Sequence, residues 1–409
     1  MIALDRQDRR DRDRAWQIVC PLPGVRRLNA LIGLSVLSGL TAVAEPSQRA
    51  IGRPAAARRQ EFPAVRASTK GDDRRAVLTK DTRVAFIQKA RVWSPTDVSE
   101  MNVRDGPGGP GAFHPNELVT CDYVERQMPG RTPKFFCAVQ PDDIVKVRYG
   151  RSNGEVQGSV LATRLLWALG FAADRVYPVR VRCRGCTSDP WNNRERVDDV
   201  HEFDPAVIER PPDGHEMREG SKDAEWAWPE LDLVDAAQGG APLEQVDALR
   251  LLAVFMQHTD TKSKQQRLLC LPGGLTADGV CERPFLMLHD VGVTFGRANA
   301  SNRNKSGSVN FEEWAATPVW KDAAQCIGHL SKSKTGTLDN PHISEAGRRF
   351  LAALLVQLTD GQLHDLFEVA GVDRRALGSG EHPAAARVDD WIKTFKEKRD
   401  EIVANRCAR

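Results

Sequence analysis

The stretch from Leu251 to Gly296 reads L-L-A-V-F-M-Q-H-T-D-T-K-S-K-Q-Q-R-L-L-C-L, then a Gly-containing turn, then F-L-M-L-H-D-V-G-V-T-F-G. An apolar helix end runs into His258-Thr259-Asp260-Thr261-Lys262. Two apolar runs follow, Arg267 to Leu271 and Phe285 to Leu288, short enough to be strands. A turn between them makes a hairpin, and a hairpin brings its outer ends together. Asp260 and Asp290 therefore face a common site. Two carboxylates, Lys262 and an amide at the open end of a sheet suit a metal-assisted phosphate site.

Upstream, Leu118 to Tyr123, Lys134 to Val139 and Ile144 to Tyr149 read as three strands separated by turn residues. The third alternates, so Ile144, Lys146 and Arg148 share one face and Val145 and Val147 the other. Glu155 to Phe171 has a broad apolar face and stops at Gly170, which predicts a helix. Val176 to Cys183 is a fourth strand. Residues 187 to 240 are polar and read as an insertion or long loop, with W-A-W-P-E (Trp226 to Glu230) docked on the core. Leu243 to Gln257 is the helix that delivers the chain to His258. An Asn/Ser-rich loop, Ala298 to Asn310, follows the hairpin. Further helices are expected over Ser344 to Leu358, Asp360 to Ala370 and Arg387 to Ala404. The order predicts an α+β chain: a β-rich N-lobe with an insertion over 81–240 and a mainly helical C-lobe over 241–409. The Gly-rich run Asp105 to Gly111 is a connection; two prolines remove the donors a phosphate cradle needs.

The chain has 409 residues, 41% hydrophobic and 28% charged, which excludes wholesale disorder. A net charge of +3 gives no basis for a nucleic-acid partner, and none is expected. Arg26-Arg27 precede the apolar run Leu28 to Val43, which ends in Ala42-Val43-Ala44. A basic start, a short apolar core and an A-x-A site predict a signal peptide cleaved near Ala44 and a periplasmic or secreted protein. The charged residues ahead of it suggest a true start near Val25. Residues 45–80 read as an Ala-, Arg- and Pro-rich linker. No other run is apolar and long enough to span a bilayer. Cleavage removes Cys20 and leaves eight of the nine cysteines, an even number suited to disulfides. Cys270 and Cys281 face each other across the hairpin, a bridge contributing roughly 3 kcal/mol by chain entropy. Cys121 and Cys137 pair across another hairpin, and Cys326 with Cys407 by elimination. Cys183-x-x-Cys186 is a local structural disulfide in the simplest reading; a redox pair or half a zinc site are the alternatives.

Strand-borne lysine, helix, H-x-D-x-K loop, hairpin and D-x-G in this order resemble the protein kinase-like superfamily, above all its atypical branches: HipA-like, phosphatidylinositol-kinase-like and secretory-pathway kinases. The resemblance spans roughly residues 115 to 405. It implies a two-lobed fold, ATP with Mg²⁺ or Mn²⁺, and phosphoryl transfer to a hydroxyl on a protein, lipid or sugar. It implies that Asp260 takes the acceptor's proton and Lys262 steadies the phosphoryl group. Asp290 holds the metal, with Gln265 where kinases usually carry asparagine. Lys146 is the strand lysine on the phosphates, Arg148 its rival, and Glu155 the helix glutamate. Ser159, one turn on, departs from the pattern, and no G-x-G-x-x-G precedes the lysine.

Two other readings stand beside this one. His258, Asp260, His289 and Asp290 carry the donors of a transition-metal hydrolase. His289 separates the two: a strand points it away from Asp290, so the kinase-like reading expects it buried away from the site. The third reading is a catalytically inactive binding module that keeps the fold.

Overall fold

The computed structural model describes residues 77–128, 130–297, 309–374 and 386–407. The expected upstream extension and signal peptide lie outside these residues, as does all but the end of the 45–80 linker. The last residues of that stretch open the described chain: Val77–Leu78 pairs in parallel with Arg218–Glu219. Thr79 then caps the helix Lys80–Gln88.

Five strands close into a barrel: Leu118–Val124, Lys134–Gln140, Asp143–Tyr149, Arg175–Arg184 and Val200–Arg210. All neighbours are antiparallel except at the seam, where Leu118–Val124 runs parallel to Arg175–Arg184. A parallel pair needs a long crossover. The two intervening strands and the helix Gly154–Ala168 supply it. Alternation sorts the side chains. Phe135, Val145, Val147, Tyr177, Val181 and Ile208 fill the barrel, while Lys146 and Arg148 lie outside that core.

The strand Val200–Arg210 corrects the expected polar insertion over 187–240. Its inward residues, Phe203 and Ile208, are buried. Glu202, Asp204 and Glu209 among them mask the apolar period. Pro205 lies beside a register irregularity opposite Val179 and Val181. A proline inside a run reads as a strand breaker, and bulges are where sheets tolerate it. The Trp226–Glu230 segment does dock: Trp226 and Trp228 are fully buried, and Trp226 Nε1 donates to the Met287 carbonyl at 3.1 Å.

The helix Leu243–Phe255 packs on Glu345–Leu355, and Asp360–Ala370 packs on the barrel helix. Val388–Ala404 packs against both of these C-terminal helices. The segment after Lys80–Gln88 runs along this helical body. There Gln362 Nε2 donates to the carbonyls of Val98 and Met101 at 2.7 and 2.8 Å. Gln266–Cys270 and Pro284–Leu288 form the hairpin. His215–Glu216 extends it on one edge, and bridges Arg91–Phe285 and Ala173–Leu288 cover the other.

The chain is thus α+β, with a β-barrel joined to a mainly helical body. All eight cysteines among the described residues are bonded as Cys121–Cys137, Cys183–Cys186, Cys270–Cys281 and Cys326–Cys407. Cys183 and Cys186 form a local bridge, not half of a metal site. Among the described residues no helix is long and apolar enough to cross a membrane. The Gly-rich loop lies under Arg164 and Arg210, whose guanidinium groups occupy the space beside Gly106 and Gly111.

Candidate functional site

The barrel's outer face, the start of the barrel helix and the open end of the hairpin meet at Arg148. This arginine is 1% exposed and touches three carboxylates. Its Nη1 pairs with Glu155, its Nε donates to Glu209 Oε2 at 3.0 Å, and its Nη2 donates to Asp290 Oδ1 at 2.9 Å. Three acids around one guanidinium exploit its planar fork of five donors. Cross-strand register explains part of the set. Lys146 stands opposite Glu209, and Lys134 opposite Arg148. Lys146 Nζ pairs with Glu209 Oε1. The strand cation on Asp290 is therefore Arg148, and Lys146 is held two residues away by a different acid.

Asn153 caps the barrel helix through Glu155 N, which brings Glu155 to the site in the first turn. Ser159 Oγ donates back to the Glu155 carbonyl at 2.6 Å and offers no charge to the strand cations. The helix runs close beneath the D-x-G turn. A Cβ at Gly158 would lie 2.3 Å from the Gly292 carbonyl oxygen, so only glycine allows this approach.

The residues of the H-x-D-x-K stretch gather beside this cluster. Lys262 Nζ lies 2.5 Å from Asp260 Oδ1, and Gln265 Nε2 donates to Asp260 Oδ2 at 2.7 Å. The Gln265 carbonyl in turn accepts from His289 N at 2.8 Å and Asp290 N at 3.4 Å. One glutamine thus ties Asp260 by its side chain and Asp290 by its backbone. Its side-chain nitrogen being spent on Asp260, Gln265 has only Oε1 left for a metal.

Burial opposes the charge on Asp290, but Arg148 and Lys146 outweigh it and hold the carboxyl well below its usual range. Burial likewise opposes Glu209, yet Lys146 and Arg148 bring it down to about 2. Burial pushes Glu155 up against the pull of Arg148, with Asp290 adding to the rise. Sequence reasoning missed Lys134, as it missed Glu209. Lys134 is 8% exposed, and its ammonium makes no ion pair or hydrogen bond among the described residues, lying 5.9 Å from the centre of the Trp191 ring. Burial lowers its pKa, and the neighbouring Arg148 lowers it further. A lysine at the start of a strand ordinarily points to water, so no sequence signal marks it.

A pH dependence follows for Glu209. Its folded pKa lies below the unfolded value, so the folded state binds fewer protons in acid and stability rises with pH there. The stabilisation is complete above about pH 4.5, near the unfolded glutamate's pKa. It is lost as pH falls toward 2. Urea midpoints between pH 2 and 6 should show this acid limb, and Glu209→Gln should flatten it; an unchanged limb would remove Glu209 as its source.

The four-residue metal set is not assembled. His258 is fully buried below the loop, its ring 6.5 Å from that of Trp228, and burial depresses its pKa. His289 turns from Asp290, as a strand end dictates, but is half-buried and meets Asp174, with Nδ1 2.9 Å from Oδ2. Asp174 is buried and its pKa is pushed up by burial to about 7 against the pull of His289. Among the described residues, no three of His258, Asp260, His289 and Asp290 gather their donor atoms within 4.8 Å.

No family model matches the chain, and no curated protein matches it. Among solved structures, it is similar to a Helicobacter pylori proinflammatory kinase, CtkA, over 71% of this chain and 95% of that chain. The identity is 8% and the TM-score 0.35, a likeness too slight to carry an argument.

Proposed function

We propose that the chain is an exported kinase-like phosphotransferase that uses ATP with Mg²⁺ or Mn²⁺ to phosphorylate a hydroxyl acceptor on a protein, lipid or sugar. The observation that supports this reading is the Arg148–Asp290 ion pair. It joins the barrel to the D-x-G end of the hairpin, while Gln265 links that end to Asp260. Strand cations and two carboxylates then border one polar site, as phosphoryl transfer requires.

In this reading Asp260 orients the acceptor hydroxyl and takes its proton, and Lys262 steadies the transferred group. Lys146, Arg148 and the unpaired ammonium of Lys134 offer positive charge to the phosphates. Asp290 and Gln265 Oε1 are hard oxygen donors that suit Mg²⁺ or Mn²⁺, whose role when bound is to neutralise phosphate charge. Glu155 and Glu209 hold Arg148 and Lys146 in place. The four disulfides agree with an oxidising compartment and so with export.

One observation favours an inactive binding module as the second reading. Arg148 already engages Asp290, the residue a metal would need. A thermal-shift titration separates the two. Excess Mg²⁺ with a non-hydrolysable ATP analogue should raise the melting temperature, by about 2.7 kcal/mol of added stability at a hundred times Kd. Asp290→Ala should abolish the rise. No shift in the wild-type chain at millimolar nucleotide would favour the module.

A further inference from the structure

Beside the site lies a group of donors that phosphoryl transfer does not use. The bridge Ala173–Leu288, with Leu288 N donating to the Ala172 carbonyl at 3.0 Å, sets the next residue of each segment side by side. Those residues are Asp174 and His289. The short strand His215–Glu216 pairs with the hairpin's other strand and brings Glu216 to the same point. The ligand atoms of Asp174, Glu216 and His289 all lie within 4.8 Å of one another.

Asp174 makes this group more than a cluster of acids. It is 4% exposed, and neither carboxylate oxygen has a hydrogen-bond partner. His289 Nδ1 lies 2.9 Å from Asp174 Oδ2, an ion pair when the imidazole is protonated, but outside hydrogen-bond geometry. A buried carboxylate is costly unless it is paired, hydrogen-bonded or bound to a metal. Of the nearby cations, Lys146 is paired with Glu209, and Arg267 is shared at 3.8 Å between Glu216 and Asp223. Two other groups of metal-ligating type occur among the described residues. In one, Cys121, Cys137 and Cys183 are consumed by disulfides; in the other, Asp365 and Glu368 already pair with Arg104.

We propose that Asp174, Glu216 and His289 form a binding site for a divalent transition-metal ion. One imidazole and two carboxylates suit zinc, manganese or iron better than magnesium, which prefers oxygen alone. The three ligands come from the link between barrel helix and barrel strand, from the segment after the barrel and from the hairpin. A metal here would clamp the barrel to the hairpin one residue from Asp290. The site stands apart from the phosphotransfer reading, because it needs no nucleotide.

The test uses the full oxidised chain, stripped with a chelator and titrated calorimetrically with Zn²⁺ and with Co²⁺, without nucleotide. One ion should bind per chain, and Co²⁺ should give visible ligand-field absorption. Asp174→Asn and Glu216→Gln should each weaken binding at least about 100-fold, since loss of mere outer-shell partners costs 10- to 100-fold. Circular dichroism checks the fold of both variants; Glu216 is half-exposed on a two-residue strand, so its variant keeps the core even if Asp174→Asn does not. Absence of one-to-one binding in the wild-type chain overturns the proposal. So does binding that survives in Glu216→Gln with the absorption unchanged. Neither outcome bears on the nucleotide titration.

Discussion

Arg148→Met is expected to melt roughly 5 °C below the wild-type chain. The substitution keeps the stem and removes the guanidinium, leaving Glu155, Glu209 and Asp290 without their shared partner. Breaking a buried ion pair from one side costs about 3–5 kcal/mol, because the remaining charge stays buried. For a chain of this size each kcal/mol moves the midpoint by roughly 1–2 °C. Lys146 still neutralises Glu209, so the loss falls mainly on Glu155 and Asp290. Arg148→Lys should recover less than half of the stability, since one ammonium cannot serve three acids at separate angles. Differential scanning calorimetry at neutral pH provides the measurement. A midpoint within about 1 °C of wild type for Arg148→Met would mean that the three acids are solvated or protonated, and the site's electrostatic description would fail.

The second large effect lies far from the site in sequence. Cys326 and Cys407 close a loop of 81 residues between the region after the hairpin and the C-terminal end of Val388–Ala404. In the chain-entropy account, a closed loop of that length removes about 4 kcal/mol of unfolded-state freedom. Replacing both cysteines by serine should lower stability by about that amount without altering any nucleotide or metal shift. Glu345 anchors the same region: its pairing with Arg348 and the bond from Cys407 N hold its carboxyl down to about 2. The serine pair should therefore loosen the end of the last helix before the rest, visible as faster amide exchange there. Uniform exchange with an unmoved midpoint would show that the bridge adds no restraint.

Much of the fold was legible because local signals agreed. The alternation in Ile144 to Tyr149, the apolar face of the barrel helix and the pairing logic of Cys270 with Cys281 each report one element by itself. The helix expected over Asp360 to Ala370 is found at those bounds, where Thr359 caps it and Gly371 ends it. Val200–Arg210 was hidden because its charged positions belong to two different surroundings. Glu202 faces solvent, whereas Glu209 faces Lys146. The rank order of Lys146 and Arg148 was equally closed to sequence, because both occupy the same face of one strand. Which of them reaches Asp290 depends on where the hairpin docks. Lys134, Asp174 and Glu216 gain their meaning only from segments distant in the chain, so no window of sequence could single them out.

The closed barrel also limits how another molecule can be recognised. Every one of its five strands has a neighbour on both sides. The hairpin's outer strand is likewise bridged by Arg91 and Ala173. Among the described residues the barrel therefore offers no free backbone edge by which an extended peptide adds itself as a strand, and on the hairpin sheet the open edge is the two-residue strand His215–Glu216. A protein acceptor meeting the barrel or hairpin would have to be read through side chains, by charge and shape. Under the proposed phosphotransfer, selectivity for such an acceptor would reside in the residues bordering Asp260 and Lys262.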